Sequence, residues 1–205
     1  MPEIVQPKAN NFPHTYALIL CGGKSSRMGA DKSLLQYYAK PQRYHIYDML
    51  LPFCEDVFIS CNNKQAAGIE AGYNFIQDDD NMGDIGPIHA LLTAFTKYPA
   101  KNILLIGCDY PFLTSGELQS FSGCCKDEPA AFYNQQDDVY EPVLAWYPYS
   151  YLDVLKKMCS AKQFSLQQFL NQNKASKYLP SNTNCIKSID TSKGFSLAFK
   201  QVNKG

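Results

Sequence analysis

Apolar positions along this chain fall into short runs separated by helix-spaced stretches. Tyr16-Ala17-Leu18-Ile19-Leu20 has the length and composition of a buried strand, and it breaks into LCGGKSSRMGADKSL, residues 20–34. Over residues 41–51 the apolar positions 44, 46, 47, 50 and 51 have helical spacing. Val57-Phe58-Ile59 predicts a second strand that ends at Ser60-Cys61-Asn62-Asn63. From there to Ala71 the pattern reads as a helix stopped by Gly72. Tyr73-Asn74-Phe75-Ile76 predicts a third strand, opening into Asp78-Asp79-Asp80 and then Gly83-Asp84-Ile85-Gly86-Pro87. Leu91, Leu92 and Phe95 mark the next helix. Residues 103–106 form the most apolar run of all, followed directly by Cys108-Asp109-Tyr110-Pro111.

Alternating strands and helices imply a parallel sheet covered on both faces. Such sheets bind ligands beyond the carboxyl ends of their strands. The glycine-rich stretch, Asn62, the acidic triplet and Asp109 all follow predicted strands, so they should meet on one rim. The second half is less regular. Residues 130–133 and 139–147 predict two strands joined by the polar turn 134–138. Helices near 149–159 and 165–172 follow, then extended pieces near 176–179 and 185–189, and Thr191 is placed to cap a final helix. No linker-like shift in composition divides the chain. It reads as an N-terminal extension, residues 1–15, and a single domain, residues 16–205.

Composition narrows the class. The 205 residues carry no net formal charge, so no global field points to nucleic acid or to a membrane. No apolar run has secretory or membrane-spanning length, and the expected location is cytoplasmic. The eight cysteines show no C-x-x-C spacing and read as buried, reduced small hydrophobes. His14, His45 and His89 are scattered, which argues against zinc.

The chemistry concentrates after the first strand. Glycines reach backbone angles that let successive N–H groups ring an anion, and Lys24, Arg27 and Lys32 add positive charge. The simplest ligand is a nucleotide phosphate. A Walker loop is absent, because Leu18 stands five residues before Gly23, and G-x-G-x-x-G fails because Gly22 and Gly23 are adjacent. What fits is G-G-x-S-x-R-M-G-x-D-K-x-L, read at Gly22, Gly23, Ser25, Arg27, Met28, Gly29, Asp31, Lys32 and Leu34. This pattern resembles the nucleotidyltransferases of molybdenum cofactor synthesis, above all the guanylyltransferase family called MobA.

The resemblance implies a three-layer α/β/α Rossmann-like nucleotidyltransferase fold with a mostly parallel central sheet. It implies nucleotide contacts at Leu20, Cys21, Gly22, Gly23, Lys32, Ser60, Asn62, Asp78 and Asp109, with Arg27, Lys32 and Asp109 catalytic. Cys21 stands where the family usually has alanine. Cys108-Asp109-Tyr110-Pro111-Phe112-Leu113 matches the family's metal-binding segment, in which this aspartate holds Mg2+. A carboxylate at the end of a buried strand suits that ion, which takes one or two carboxylates plus substrate phosphates. Asp109 lies too early to cap the helix starting near Thr114. Gly86-Pro87-Ile88 resembles the family's G-P-L/I element. Glu141-Pro142-Val143-Leu144, continued by Ala145 and Tyr147, matches E-P-x-x-A-x-Y near the second substrate. Ser188 and Asp190 replace the two asparagines of a family N-x-N-T-P segment that the resemblance implies contacts the second substrate, and the proline is absent.

These expectations amount to GTP and molybdenum cofactor (molybdopterin) as substrates, with Mg2+ as cofactor. The family also implies transient contact with other cofactor-synthesis or acceptor proteins. The G-G and D-K pattern favours GTP, while related cytidylyltransferases more often show A-G and P-K. Asp31 could otherwise pair with Lys24 or Lys32 on the surface. The alternatives are a CTP-dependent cytidylyltransferase and a nucleotide-binding adaptor without catalysis.

Overall fold

A computed structural model describes residues 11–21, 31–77 and 85–203. Within these residues seven strands form one sheet: β1 (Thr15–Leu20), β2 (Asp56–Cys61), β3 (Phe75–Gln77), β4 (Asn102–Gly107), β5 (Ala130–Asn134), β6 (Val139–Tyr147) and β7 (Ser176–Tyr178). Seven α-helices accompany them: α1 (Gln42–Leu50), α2 (Asn63–Ala66), α3 (Pro87–Lys97), α4 (Ser115–Ser122), α5 (Leu152–Ser160), α6 (Leu166–Gln172) and α7 (Ser192–Val202). The strand order is β3-β2-β1-β4-β6-β5-β7, and β6 alone opposes the others.

The central strands are apolar at consecutive positions because both of their faces are covered. Ala17, Ile19, Val57, Ile59, Leu104 and Ile106 face one core with α1 and α4. Leu18, Phe58, Ile103 and Leu105 face the other, with α3, α5 and α6. The result is a three-layer α/β/α arrangement around a mostly parallel sheet.

The order reverses at β1. From β1 the chain moves outward to β2 and β3, then returns to lay β4 along the other side of β1. Loops leaving the carboxyl ends of two such strands diverge and open a crevice. By that rule the ligand site is expected beyond Leu20-Cys21 and Gly107-Cys108-Asp109. Since β6 runs the opposite way, its beginning, with Glu141, lies at the same rim as the end of β4.

Several boundaries differ from the sequence pattern. Residues 12–15, assigned above to the extension, are built into the fold. Phe12 is fully buried, its N–H donates to the Phe53 carbonyl at 3.2 Å, and Trp146 Nε1 donates to Thr15 Oγ1 at 3.0 Å. Burying such a ring contributes on the order of 1.5–3 kcal/mol. The helix expected to run to Ala71 ends at Ala66, and α2 is a short helix that fully buries none of its residues. The expected extended piece near 185–189 is partly a 3-10 turn over Thr183–Ile186, capped by Asn182. Thr114 caps α4 and Thr191 caps α7, each through its hydroxyl.

Candidate active site

The described part of the rim begins at the end of β1. Cys108 N–H donates to the Leu20 carbonyl at 3.2 Å, and Cys21 N–H donates to the Ser60 carbonyl at 3.1 Å. These bonds continue the ladders and hold the ends of β1, β2 and β4 level. Ser60 itself is 1% exposed, so its hydroxyl lies beneath the rim. Asn62 is exposed, but its Oδ1 accepts from the Lys64 and Gln65 amides, both at 3.0 Å, as the cap of α2.

Gln65 completes that capping box by accepting from the Asn62 N–H at 3.2 Å. Its Nε2 then donates to the Cys21 carbonyl at 3.0 Å and to Asp31 Oδ2 at 2.8 Å. The other oxygen of Asp31 accepts from the Ser33 N–H at 2.9 Å and from the Ser33 hydroxyl at 2.7 Å. Asp31 thereby caps a 3-10 turn, Lys32–Leu34. It does not pair with Lys32, whose ammonium lies against the Asp190 carboxylate instead.

Asp109 follows β4 and is mostly withdrawn from water. Burial first, and then the Asp190 carboxylate, push its carboxyl group above the usual range, while its own backbone amide and Lys32 act in the opposite direction. The C-terminal segment is docked by the Ile189 N–H, which donates to the Asp109 carbonyl at 2.9 Å. That bond is why Asp190 reaches a site built by the first half of the chain. Ser188, two residues earlier, is exposed.

Gly107 leaves room for the aspartate. A Cβ at that position would lie 2.7 Å from Asp109 Oδ1, 3.0 Å from Tyr110 Cε2 and 3.2 Å from Val143 Cγ2. Next to it, the buried Tyr110 hydroxyl donates to Glu141 Oε2 at 3.0 Å. Burial first, then Asp109 and Asp137, raise the Glu141 carboxyl group against the Tyr110 bond. Asp109, Glu141 and Asp190 thus put three carboxylates at one rim, where Lys32 pairs with Asp190 and acts on Asp109.

The structure therefore brings Leu20, Cys21, Lys32, Asp109, Glu141 and Asp190 to one end of the sheet. Gly22, Gly23, Arg27 and Asp78 lie outside the described residues. Two participants carry no signal in the sequence pattern. Tyr37 is 1% exposed, with its ring edge-on to Phe195 at 5.0 Å. Its phenol is held well above the usual range by burial first, and then by Cys108, Asp109 and Asp190. Gln65 is the other: its spacing from Asn62 suits a capping box, but nothing in the pattern marks its bonds to Cys21 and Asp31.

Among the described residues no group of three or more His, Cys, Asp or Glu side chains is arranged to hold a metal ion. Mg2+ does not require one, because it keeps waters and takes substrate phosphates alongside one or two carboxylates. Asp109 fits that need: its carboxylate is disfavoured by burial and by Asp190, and a cation would relieve both. Gly107 keeps the space into which that carboxylate folds. Among the described residues, no helix is long and apolar enough to cross a membrane.

The family described as MobA-like NTP transferase domain matches residues 17–177. A molybdenum cofactor biosynthesis bifunctional protein of Synechocystis is 35% identical over 130 residues, covering 63% of this chain but only 37% of that protein. A molybdenum cofactor guanylyltransferase of Shewanella baltica is 30% identical over 147 residues, covering 71% of this chain and 74% of the relative. The solved structure of molybdopterin-guanine dinucleotide biosynthesis protein A from Archaeoglobus fulgidus superposes with a TM-score of 0.73 at 21% identity. It covers 93% of this chain and 100% of its own, and it shows the shared nucleotidyltransferase fold.

Proposed function

The chain belongs to the MobA-like NTP transferase domain family, and from that premise we propose that it moves GMP from GTP onto molybdenum cofactor (molybdopterin), releasing pyrophosphate and forming molybdopterin guanine dinucleotide. The observation that carries this reading is the meeting of Lys32, Asp109 and Asp190 beyond the ends of β1 and β4. Three segments far apart in sequence supply a cation and two carboxylates at the crevice where such sheets bind nucleotides. The named relatives support guanylyl transfer in particular.

The reaction asks little covalent work of the protein. The nucleophile is the terminal phosphate of the acceptor, already largely ionised at neutral pH because a second phosphate pKa is about 6. Catalysis then consists of holding two polyanions in line and neutralising the charge that builds on the leaving pyrophosphate. Lys32, presented by the turn that Asp31 caps, binds phosphate oxygens in exchange for Asp190. Asp109 would hold Mg2+, with the Asp190 carboxylate beside it. When bound, Mg2+ would supply a Lewis acid for the substrate phosphates. Glu141, oriented by Tyr110, faces the second substrate. Arg27 is assigned to the phosphates by its place in the motif.

The test is direct. Purified protein with GTP, Mg2+ and molybdopterin should release pyrophosphate in step with dinucleotide formation. Nucleotide binding without pyrophosphate release would favour the adaptor, and transfer from CTP alone would favour the cytidylyltransferase.

A further inference from the structure

We infer that Gln65 is a positioning residue for the nucleotide site, holding the turn that presents Lys32 against the end of β1. The inference rests on the nucleotidyl-transfer reading and adds to it a residue outside the motif. One carboxamide bonds the last described residue before segment 22–30 and the first one after it. Its Nε2 donates to the Cys21 carbonyl at 3.0 Å and to Asp31 Oδ2 at 2.8 Å, while its Oε1 accepts from the Asn62 N–H at 3.2 Å. Both amide hydrogens and the oxygen are therefore committed.

The consequence runs through Asp31 to Lys32. Asp31 spends its other oxygen on Ser33, which is fully buried, so the 3-10 turn is anchored to the core on one side and to Gln65 on the other. Lys32 opens that turn, and its ammonium reaches Asp190 beside Asp109. A shift of Asp31 thus moves the lysine relative to Asp109.

The shape of α2 supports the same conclusion. It is four residues long and fully buries none of them, and Ala66 alone packs against a core, from a partly buried position. It nonetheless has a complete capping box between Asn62 and Gln65. What it delivers is the Gln65 carboxamide, at a reach and with two donors that neither asparagine nor glutamate provides. Glutamate there would lose both donated bonds and set a second carboxylate against Asp31.

The experiment compares Gln65→Glu, Asp31→Asn and the double variant with wild type. Dissociation constants for GTP, CTP and ATP are measured by calorimetry, with melting temperatures alongside. Gln65→Glu should raise the GTP Kd roughly tenfold or more, the cost of two lost part-buried bonds and a like-charge contact. In the double variant the amide introduced at position 31 can donate to the carboxylate introduced at position 65, and the Kd should return at least about fivefold toward wild type. A wild-type Kd for Gln65→Glu overturns the inference. So does a weakened Gln65→Glu that Asp31→Asn fails to rescue, since that would be a defect local to α2. Gln65→Ala, which removes the donors without adding charge, takes its place if the glutamate variant does not fold, with the same direction expected. The nucleotide panel keeps the two claims apart. A wild type that prefers CTP or ATP contradicts guanylyl transfer, whereas Gln65 is judged on the variant-to-wild-type ratio with whichever nucleotide is preferred.

Discussion

The Lys32 ammonium rests against the Asp190 carboxylate, 158 residues further along the chain. Without substrate this pair gives the lysine an acceptor at a rim that also holds Asp109 and Glu141. In the proposed reaction the same ammonium serves a phosphate, and Asp190 is left beside Asp109, the proposed Mg2+ ligand.

Replacing Lys32 by alanine should therefore weaken transfer far more than it weakens the fold. A charge-assisted phosphate contact is worth ~2 kcal/mol, a loss of about 30-fold in kcat/KM for GTP. Arg27→Ala should act in the same direction. A lysine variant with wild-type turnover across GTP concentrations would make Lys32 a structural partner of Asp190 and nothing more.

Asp109→Asn should abolish GMP transfer while the protein stays folded. The amide keeps the shape and discards the charge proposed to bind Mg2+. Burial and Asp190 already disfavour the ionised carboxylate, so the melting temperature without metal should match or exceed that of wild type. Adding Mg2+ with GTP should raise the wild-type melting temperature and leave the variant's unchanged. An equal rise in both would remove the metal from Asp109.

Gly107→Ala tests the space around that carboxylate. The added methyl would sit 2.7 Å from Asp109 Oδ1 and 3.0 Å from Tyr110 Cε2, so the carboxylate must move. Activity should fall at least about tenfold, with a stability loss of about 1–3 kcal/mol typical of overpacking. Full activity at saturating Mg2+ would mean that the observed carboxylate position is not the working one.

The sequence exposes what depends on local pattern and hides what depends on distant partners. The ends of β1 and β4 are legible because apolar runs buried on both faces stop abruptly at Cys21 and Asp109. Glu141 is found through its motif, although its meeting with the β4 end depends on β6 running backwards. Phe12 escapes notice because three prolines and many polar neighbours make its surroundings look like a tail, and only the sheet supplies its cavity. Asp31 reads as a sign of the base, yet both of its oxygens serve Ser33 and Gln65. The tether made by Gln65 is invisible: its spacing from Asn62 suits a helix cap, but its two acceptors lie 44 and 34 residues away.

Stability should weaken in acid through Glu117. This buried carboxylate on α4 accepts from the Tyr178 hydroxyl at 2.5 Å, the Asn182 N–H at 3.1 Å and the Ser181 hydroxyl, tying α4 to the segment after β7. Burial alone would raise its pKa, but the bonds from Ser181, Tyr178 and the Asn182 and Ser181 amides outweigh it and hold it below 4.5. Its stabilisation is then fully present above the unfolded pKa of 4.5 and is lost as pH falls through the lower folded value. Glu117→Gln should cost about 1–3 kcal/mol at neutral pH, and the gap in melting temperature should close in acid. A gap that stays constant with pH would show that ionisation of Glu117 does not matter.

The central claim is the choice of GTP as donor to a molybdopterin acceptor. It is tested most directly by kcat/KM for GTP and for CTP, measured with the same acceptor and saturating Mg2+. A site that hydrogen-bonds one base leaves buried groups unpaired with another, so GTP should be preferred by about 100-fold or more. Equal values, or a preference for CTP, would contradict the assignment.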